Sequence, residues 1–191
     1  DYKLALRLAQ DYYFIQDAAN AKNLLENLNK IDPANDETTL LLADTYAISN
    51  QLSKAEAIYR NMLLLSTDEK ATHDLIERLA NLCDLHVKNK NYEKADSLYN
   101  EIPTITKDLD IIKNVFDKQI FMSDALINDL KLDAAEKLLN SLKAKIKNEE
   151  QGEVLNNRLL FLGDALIKDK KFENAEGLLD YLKEIVKNDD Q

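Results

Sequence analysis

The sequence predicts an all-α fold, an α-solenoid of five antiparallel helix pairs, and three observations carry that reading. Glycine and proline are scarce, three and two in 191 residues, which argues against small sheets joined by tight turns. An alanine recurs at Ala21, Ala55, Ala95, Ala135 and Ala175, each time with a large residue four places on (Leu25, Tyr59, Tyr99, Leu139, Leu179) and an apolar one three beyond that (Leu28, Met62, Ile102, Leu142, Leu182). Upstream of each, at a constant offset, stands a large residue, a small one and a bulky one three later: Leu8-Ala9 with Tyr12, Leu42-Ala43 with Tyr46, Leu82-Cys83 with His86, Met122-Ser123 with Leu126, Leu162-Gly163 with Leu166. Spacings of three and four put each group on one helical face. Self-similarity at a fixed period marks a repeat architecture.

Each unit therefore reads as two amphipathic helices that meet through small residues, because helices approaching to about 8–10 Å require one side to give up volume. The units run near 2–35, 36–69, 70–109, 110–149 and 150–191, forming one solenoid over residues 1–191. The first alanine interval is 34 residues and the next three are 40, and the six extra residues fall between one unit's second helix and the next unit's first. Ser66-Thr67-Asp68-Glu69 and Asn148-Glu149-Glu150-Gln151 have the form of capping boxes. They predict long first helices near 67–89, 107–129 and 149–169. Second helices are expected near 18–31, 53–65, 92–102, 132–147 and 172–188. Pro103 is expected to end or kink the third of these at Ile102, with a local change of superhelix geometry.

Composition excludes several classes. With 45% hydrophobic residues the chain can build a core, so disorder is excluded. The longest apolar runs, such as Leu159-Leu160-Phe161-Leu162, are four residues, where about 20 are needed to span a bilayer. The net charge of −10 is spread over the five units as −1, −4, −1, 0 and −4; no unit is basic, and phosphate binding needs a basic surface, so nucleic acid is not an expected partner. One cysteine excludes an internal disulfide and multi-cysteine zinc sites. The compartment, cytoplasmic or periplasmic, stays open. The opening Asp-Tyr-Lys, with no initiating Met and no signal-peptide pattern, reads as a piece of a longer protein.

The pattern resembles the tetratricopeptide repeat, Trp-x2-Leu-Gly-x2-Tyr, then Ala-x3-Phe, then Pro, on a period of about 34 residues. The resemblance covers the whole chain. It includes Asp32-Pro33 at the end of the first unit, and departs in having no Trp, one terminal Pro and the longer spacing. It implies a right-handed superhelix whose first helices line a concave face that binds peptide segments. Carried onto this sequence, the face consists of columns: Gln10, Asp44, Asp84, Asp124, Asp164; a turn earlier Lys3, Glu37, Glu77, Asp117, Asn157; and apolar flanks Leu6, Leu40, Ala80, Ile120, Leu160 and Tyr13, Ala47, Val87, Ile127, Ile167. The partner-binding candidates are Asp44, Asp84, Asp124, Asp164, Glu37, Glu77, Asp117, Tyr13, Leu40, Ile120, Ile127 and Ile167.

Four aspartates at equivalent positions repel by roughly 0.4 kcal/mol per neighbour in water and ~1.7 at an effective dielectric of 20, taking first helices about 10 Å apart. A basic partner would relieve this. The alternative is an ordinary solvated face, with Asp84 paired to Lys88 and Asp164 to Lys168 at helical spacing. A clamp for a C-terminal carboxylate, known in the family, would need Lys and Asn where this chain has Leu6, Leu40, Ala80 and the aspartates. A basic edge of Lys88, Lys90, Lys94, Lys131, Lys168, Lys170 and Lys171 lies near helix ends, where the dipole favours it.

No phosphate loop, Gly-x-Ser-x-Gly or His-Glu-x-x-His motif occurs. Cys83 and His86 are three apart but occupy packing positions, which reads as a buried thiol and a core-edge imidazole; His73 falls on the early turn of a long first helix. Neither an enzyme, a metal nor a cofactor is expected. The function expected is a protein-interaction scaffold for a protein or peptide partner. Two other settings stay open: a periplasmic segment of an envelope or exopolysaccharide export assembly recruiting a modifying enzyme, and the peptide-sensing domain of a transcriptional regulator. Leu178, Leu179, Leu182, Ile185 and Val186 have no polar capping helix after them, so further repeats or self-association through the terminal units is expected.

Overall fold

The computed structural model describes the backbone of residues 1–189 and the side chains of residues 1–183. It consists of ten α-helices: α1 Tyr2–Phe14, α2 Ala18–Ile31, α3 Asp36–Ile48, α4 Leu52–Leu65, α5 Glu69–Lys88, α6 Tyr92–Ile105, α7 Leu109–Asn128, α8 Leu132–Lys143, α9 Glu149–Lys168 and α10 Phe172–Asp189. The chain divides into two compact units, Asp1–Thr106 and Lys107–Gln191. In the first, each of α1 to α5 packs on the next, and α1 also touches α3; in the second, α7 packs on α8 and α9, α8 on α9, and α9 on α10. Within each unit this is the serial stacking of an α-solenoid.

The recurring alanines are where the helices meet. Ala21, Ala55, Ala95 and Ala135 are fully buried and Ala175 is 2% exposed, so these methyl groups occupy the points of closest approach. Their partners Ala9, Ala43, Cys83 and Ser123 on the first helices are fully buried too. The bulky flanks close the core: Leu25, Tyr99 and Leu139 are fully buried and Tyr59 is 2% exposed. At Leu179 the pattern loosens to 38% exposure. The Ile185 and Val186 side chains lie outside the described residues.

A turn device repeats with the units and was not anticipated. Each first helix ends on a residue with positive φ, namely Gln16, Asn50, Lys90, Leu130 and Lys170 at 58–62°. In every case the N–H of that residue bonds the carbonyl three back, and the next N–H bonds the carbonyl five back, as in Gln16 to Tyr13, Asp17 to Tyr12, Leu130 to Ile127 and Lys131 to Leu126. This is a Schellman motif, ordinarily closed by glycine. Here it is built five times without one, and each hairpin turn is three residues long.

The long first helices are present: α5, α7 and α9 have 20 residues each, against 13 in α1 and α3. Their caps differ in detail from the expectation. Asp68, not Ser66, caps α5 by accepting from the Ala71 N–H, while the Ser66 hydroxyl turns to the Asp68 carbonyl and to Thr72. Asn148 does cap α9 through the Gln151 N–H, and the Gln151 side chain reaches back one residue further, to the Lys147 N–H. That reach holds residues 144–148 as a connection and ends α8 at Lys143 instead of Lys147. Pro103 lies inside α6, which continues to Ile105. In the last turn its missing N–H forfeits one backbone bond, to the Tyr99 carbonyl, and the helix absorbs that loss.

Second helices of the first unit are tied across their outer faces. Arg60 of α4 forks onto Glu101 of α6 at 2.5 and 2.6 Å, and Glu56 accepts from Arg60 Nε at 2.9 Å and Lys94 Nζ at 3.0 Å. Arg60 holds the Glu101 carboxyl below its ordinary range.

Candidate partner-binding surface

In the first unit Asp44 stands in the second half of α3 and is the centre of a hydrogen-bonded group. Its Oδ1 accepts from the Tyr59 hydroxyl at 2.6 Å and from Arg78 Nε of α5 at 3.0 Å. Tyr13, Ala47, Ile48, Asn81, Leu82 and Leu85 complete the walls of a hollow of about 230 Å³ around it. Burial, and after it the Asp44 charge, pushes the Tyr59 and Tyr13 hydroxyls above their ordinary values, so both stay protonated donors. Asp84 repeats half the arrangement: the Tyr99 hydroxyl donates to it at 2.5 Å, and burial raises that phenol as well. The same fifteen-residue step joins each Asp to its Tyr. A buried tyrosine needs a partner for its hydroxyl, and these aspartates supply it.

Around this centre the turn-earlier positions are open. Glu37 is exposed and accepts from Gln10 Nε2 at 2.8 Å, while Glu77 is exposed with His73 Nε2 3.7 Å away. Leu40 is half-buried. Ala80 and Leu6 belong to the core, at 1% and 8% exposure.

In the second unit the tyrosines are replaced by Leu139 and Leu179, and Asp124 is held differently. Arg158 Nε of α9 lies 2.8 Å from its Oδ1, again 34 residues on, as Arg78 is from Asp44. Burial raises the Asp124 carboxyl and outweighs the opposing pull of Arg158. Asp117 is half-buried, and burial lifts its carboxyl too, with Glu150 adding to the lift and Lys113 opposing it. Asp164 and Ile167 are exposed. Ile120 and Ile127 are buried, at 2% and 3% exposure. Both are packing residues there, because their side of α7 is covered, and no ligand reaches them without displacing the core.

Thus the row of aspartates is present at equivalent helical positions, but its members differ. Asp44 and Asp124 are neutralised from the following first helix, Asp44 and Asp84 anchor tyrosines, and Asp164 faces solvent. The column pattern does not reveal the side chains that contact these aspartates, Arg78, Arg158, Tyr59 and Tyr99. The signal was available, as an arginine 34 residues and a tyrosine 15 residues beyond an aspartate. Of the basic edge, Lys94 and Lys171 are engaged, by Glu56 and Asp133.

Cys83 and His86 are buried, at 0% and 6% exposure. Among the described residues no group of three or more His, Cys, Asp or Glu could hold a metal ion, and no helix is long and apolar enough to cross a membrane.

Residues 16–79 match the family model of the tetratricopeptide repeat. That stretch runs from the first hairpin turn to the middle of α5 and contains Asp44 with both its hydrogen-bond donors, Tyr59 and Arg78. No curated protein matches the chain. Over residues 16–79 the chain is thus similar to the tetratricopeptide repeat, and helix pairs recur around equivalent buried alanines beyond that stretch.

Proposed function

We propose that this chain is a protein-interaction scaffold whose first-helix face takes a partner segment carrying basic side chains. The single observation behind this reading is the recurrence of carboxylates at one helical position, Asp44, Asp84, Asp124 and the exposed Asp164, with exposed Glu37 and Glu77 a turn earlier in the first unit. An Asp already paired with Arg is not lost to a ligand. An incoming guanidinium or ammonium shares the carboxylate's second oxygen, and the tyrosine keeps the carboxylate oriented. Tyr13, Leu40 and Ile167 offer apolar surface beside the charges, whereas Ile120 and Ile127 contribute only rigidity.

The test uses Glu37→Gln, Glu77→Gln and Asp164→Asn combined, since none of the three anchors a buried hydroxyl. Loss of partner capture from lysate, with the helical spectrum unchanged, supports the acidic face. Unchanged capture discards it.

A further inference from the structure

The change of repeat length inside the first unit leaves a cleft that the regular repeat would not have. Asp44 lies eight residues past the start of α3, while its equivalent Asp84 lies fifteen past the start of α5. With these positions in register, α5 begins seven residues earlier, about 10 Å of helix. That length has no counterpart on α3 to pack against. Beneath it opens a cleft of about 690 Å³, bounded by the α2–α3 connection, the first turn of α3, the end of α4, residues 66–68 and the first turns of α5. All of it lies within Asp1–Thr106. The volume is in the range of ligand-binding clefts.

The lining has a definite chemistry. Its apolar part is Leu40, Met62, Leu65 and Leu75, and Leu65 is left 73% exposed although it ends a helix whose other face is core. Its rim carries four acids, Asp36, Glu37, Asp68 and Asp74, against one base, Arg78. That base is already committed, through Nε to Asp44 and through Nη1 to the Asp74 carbonyl. An anionic or purely apolar occupant would leave this excess uncompensated.

We propose that the cleft beneath the early start of α5 docks a peptide segment in which a large apolar side chain stands beside lysine or arginine. The apolar side chain covers Leu65 and Met62, and the cation lies between Asp36 and Asp74. The cleft adjoins the proposed first-helix face and shares Glu37 and Leu40 with it, whereas Asp36, Ala71 and Asp74 belong to the cleft alone.

The full chain, labelled with nitrogen-15, is titrated with acetyl-Lys-Leu-Leu-Lys-amide and, separately, with acetyl-Glu-Leu-Leu-Glu-amide. Saturable shifts of amides in 34–40 and 61–75 with the cationic peptide only are expected. The double variant Asp36→Asn with Asp74→Asn should weaken that binding about tenfold, two exposed charge pairs being removed. Ala71→Phe, which fills the cleft from an exposed position, should abolish it, and the remaining amide positions report that each variant is folded. Absence of saturable shifts there, equal shifts with the acidic peptide, or indifference to both variants overturns the proposal. Shifts confined to the helix turns around Asp84 and Asp164 overturn it as well, while upholding the acidic first-helix face.

Discussion

His86 shows how a single residue can be packed well and bonded poorly. It fills the bulky position at the end of α5, 6% exposed, with Nδ1 3.4 Å from the Asn91 amide and no partner for Nε2. Burial lowers its pKa, Glu56 opposing and Lys94 reinforcing. The imidazole is therefore neutral in the fold, whereas the unfolded chain takes up a proton near pH 6.5. Above that pH the residue contributes no slope; as pH falls through it the unfolded state binds the proton first, and stability drops until the folded imidazole is also protonated. Urea denaturation at pH 7.5 and 5.5 should show a loss that His86→Leu reduces. At pH 7.5 the variant should be about 1 kcal/mol more stable, one buried unpaired nitrogen having been removed. A second residue prediction concerns Leu130, 71% exposed at φ 58°. The left-handed conformation costs a non-glycine residue roughly 1–2 kcal/mol, so Leu130→Gly should raise the unfolding free energy by about 1 kcal/mol, read as a higher urea midpoint. Asn50→Gly should change little, since asparagine tolerates that region.

At the scale of elements, the helix contacts set the tolerance to volume. Ala135 is fully buried where α8 meets its neighbours, and Ala135→Leu should cost about 1–3 kcal/mol by overpacking, read as a lower midpoint with the helical signal retained. Gly163 occupies the equivalent small position on α9, yet a Cβ added there meets nothing within 4 Å. Gly163→Ala should therefore stabilise by about 0.5–1 kcal/mol, through the lower backbone entropy of alanine in a helix. A loss would mean that α9 must approach more closely than its described neighbours do. Most of the elements were legible. The amphipathic pattern and the turn signals around it locate α5, α7 and α9, 20 residues each, to within two residues. The misplaced ends, Ser66 for Asp68 and Lys147 for Lys143, arose where several polar residues in a row could cap and only the folded loop selected one. The five Schellman turns were illegible because their left-handed residues, Gln, Asn, Lys, Leu and Lys, carry no common chemistry.

For the whole molecule the governing quantity is the net charge of −10. The attractive pairs are short and partly buried, such as Asp44 with Arg78 at 3.0 Å and Asp124 with Arg158 at 2.8 Å. Repulsion among the remaining carboxylates acts over longer distances and is the more readily screened. Raising sodium chloride from 0.02 to 0.5 M should therefore raise the thermal midpoint. A fall would show that exposed ion pairs, not self-repulsion, dominate.

Sequence alone determined the class of the fold, the number of hairpins and the residues at their contacts, because steric demands at a helix crossing recur with the repeat and leave alanine in register. The sequence also lines up Asp44, Asp84, Asp124 and Asp164 at one position of the repeat. Only the tertiary structure decided what those carboxylates do: whether an aspartate meets a tyrosine, an arginine or water depends on which side chain a neighbouring helix brings within hydrogen-bond reach. It likewise decided that Ile120 and Ile127 are covered and that a cleft opens beneath α5. Burial and voids depend on how helices of unequal length lie against one another, and the pattern along one helix does not contain that information.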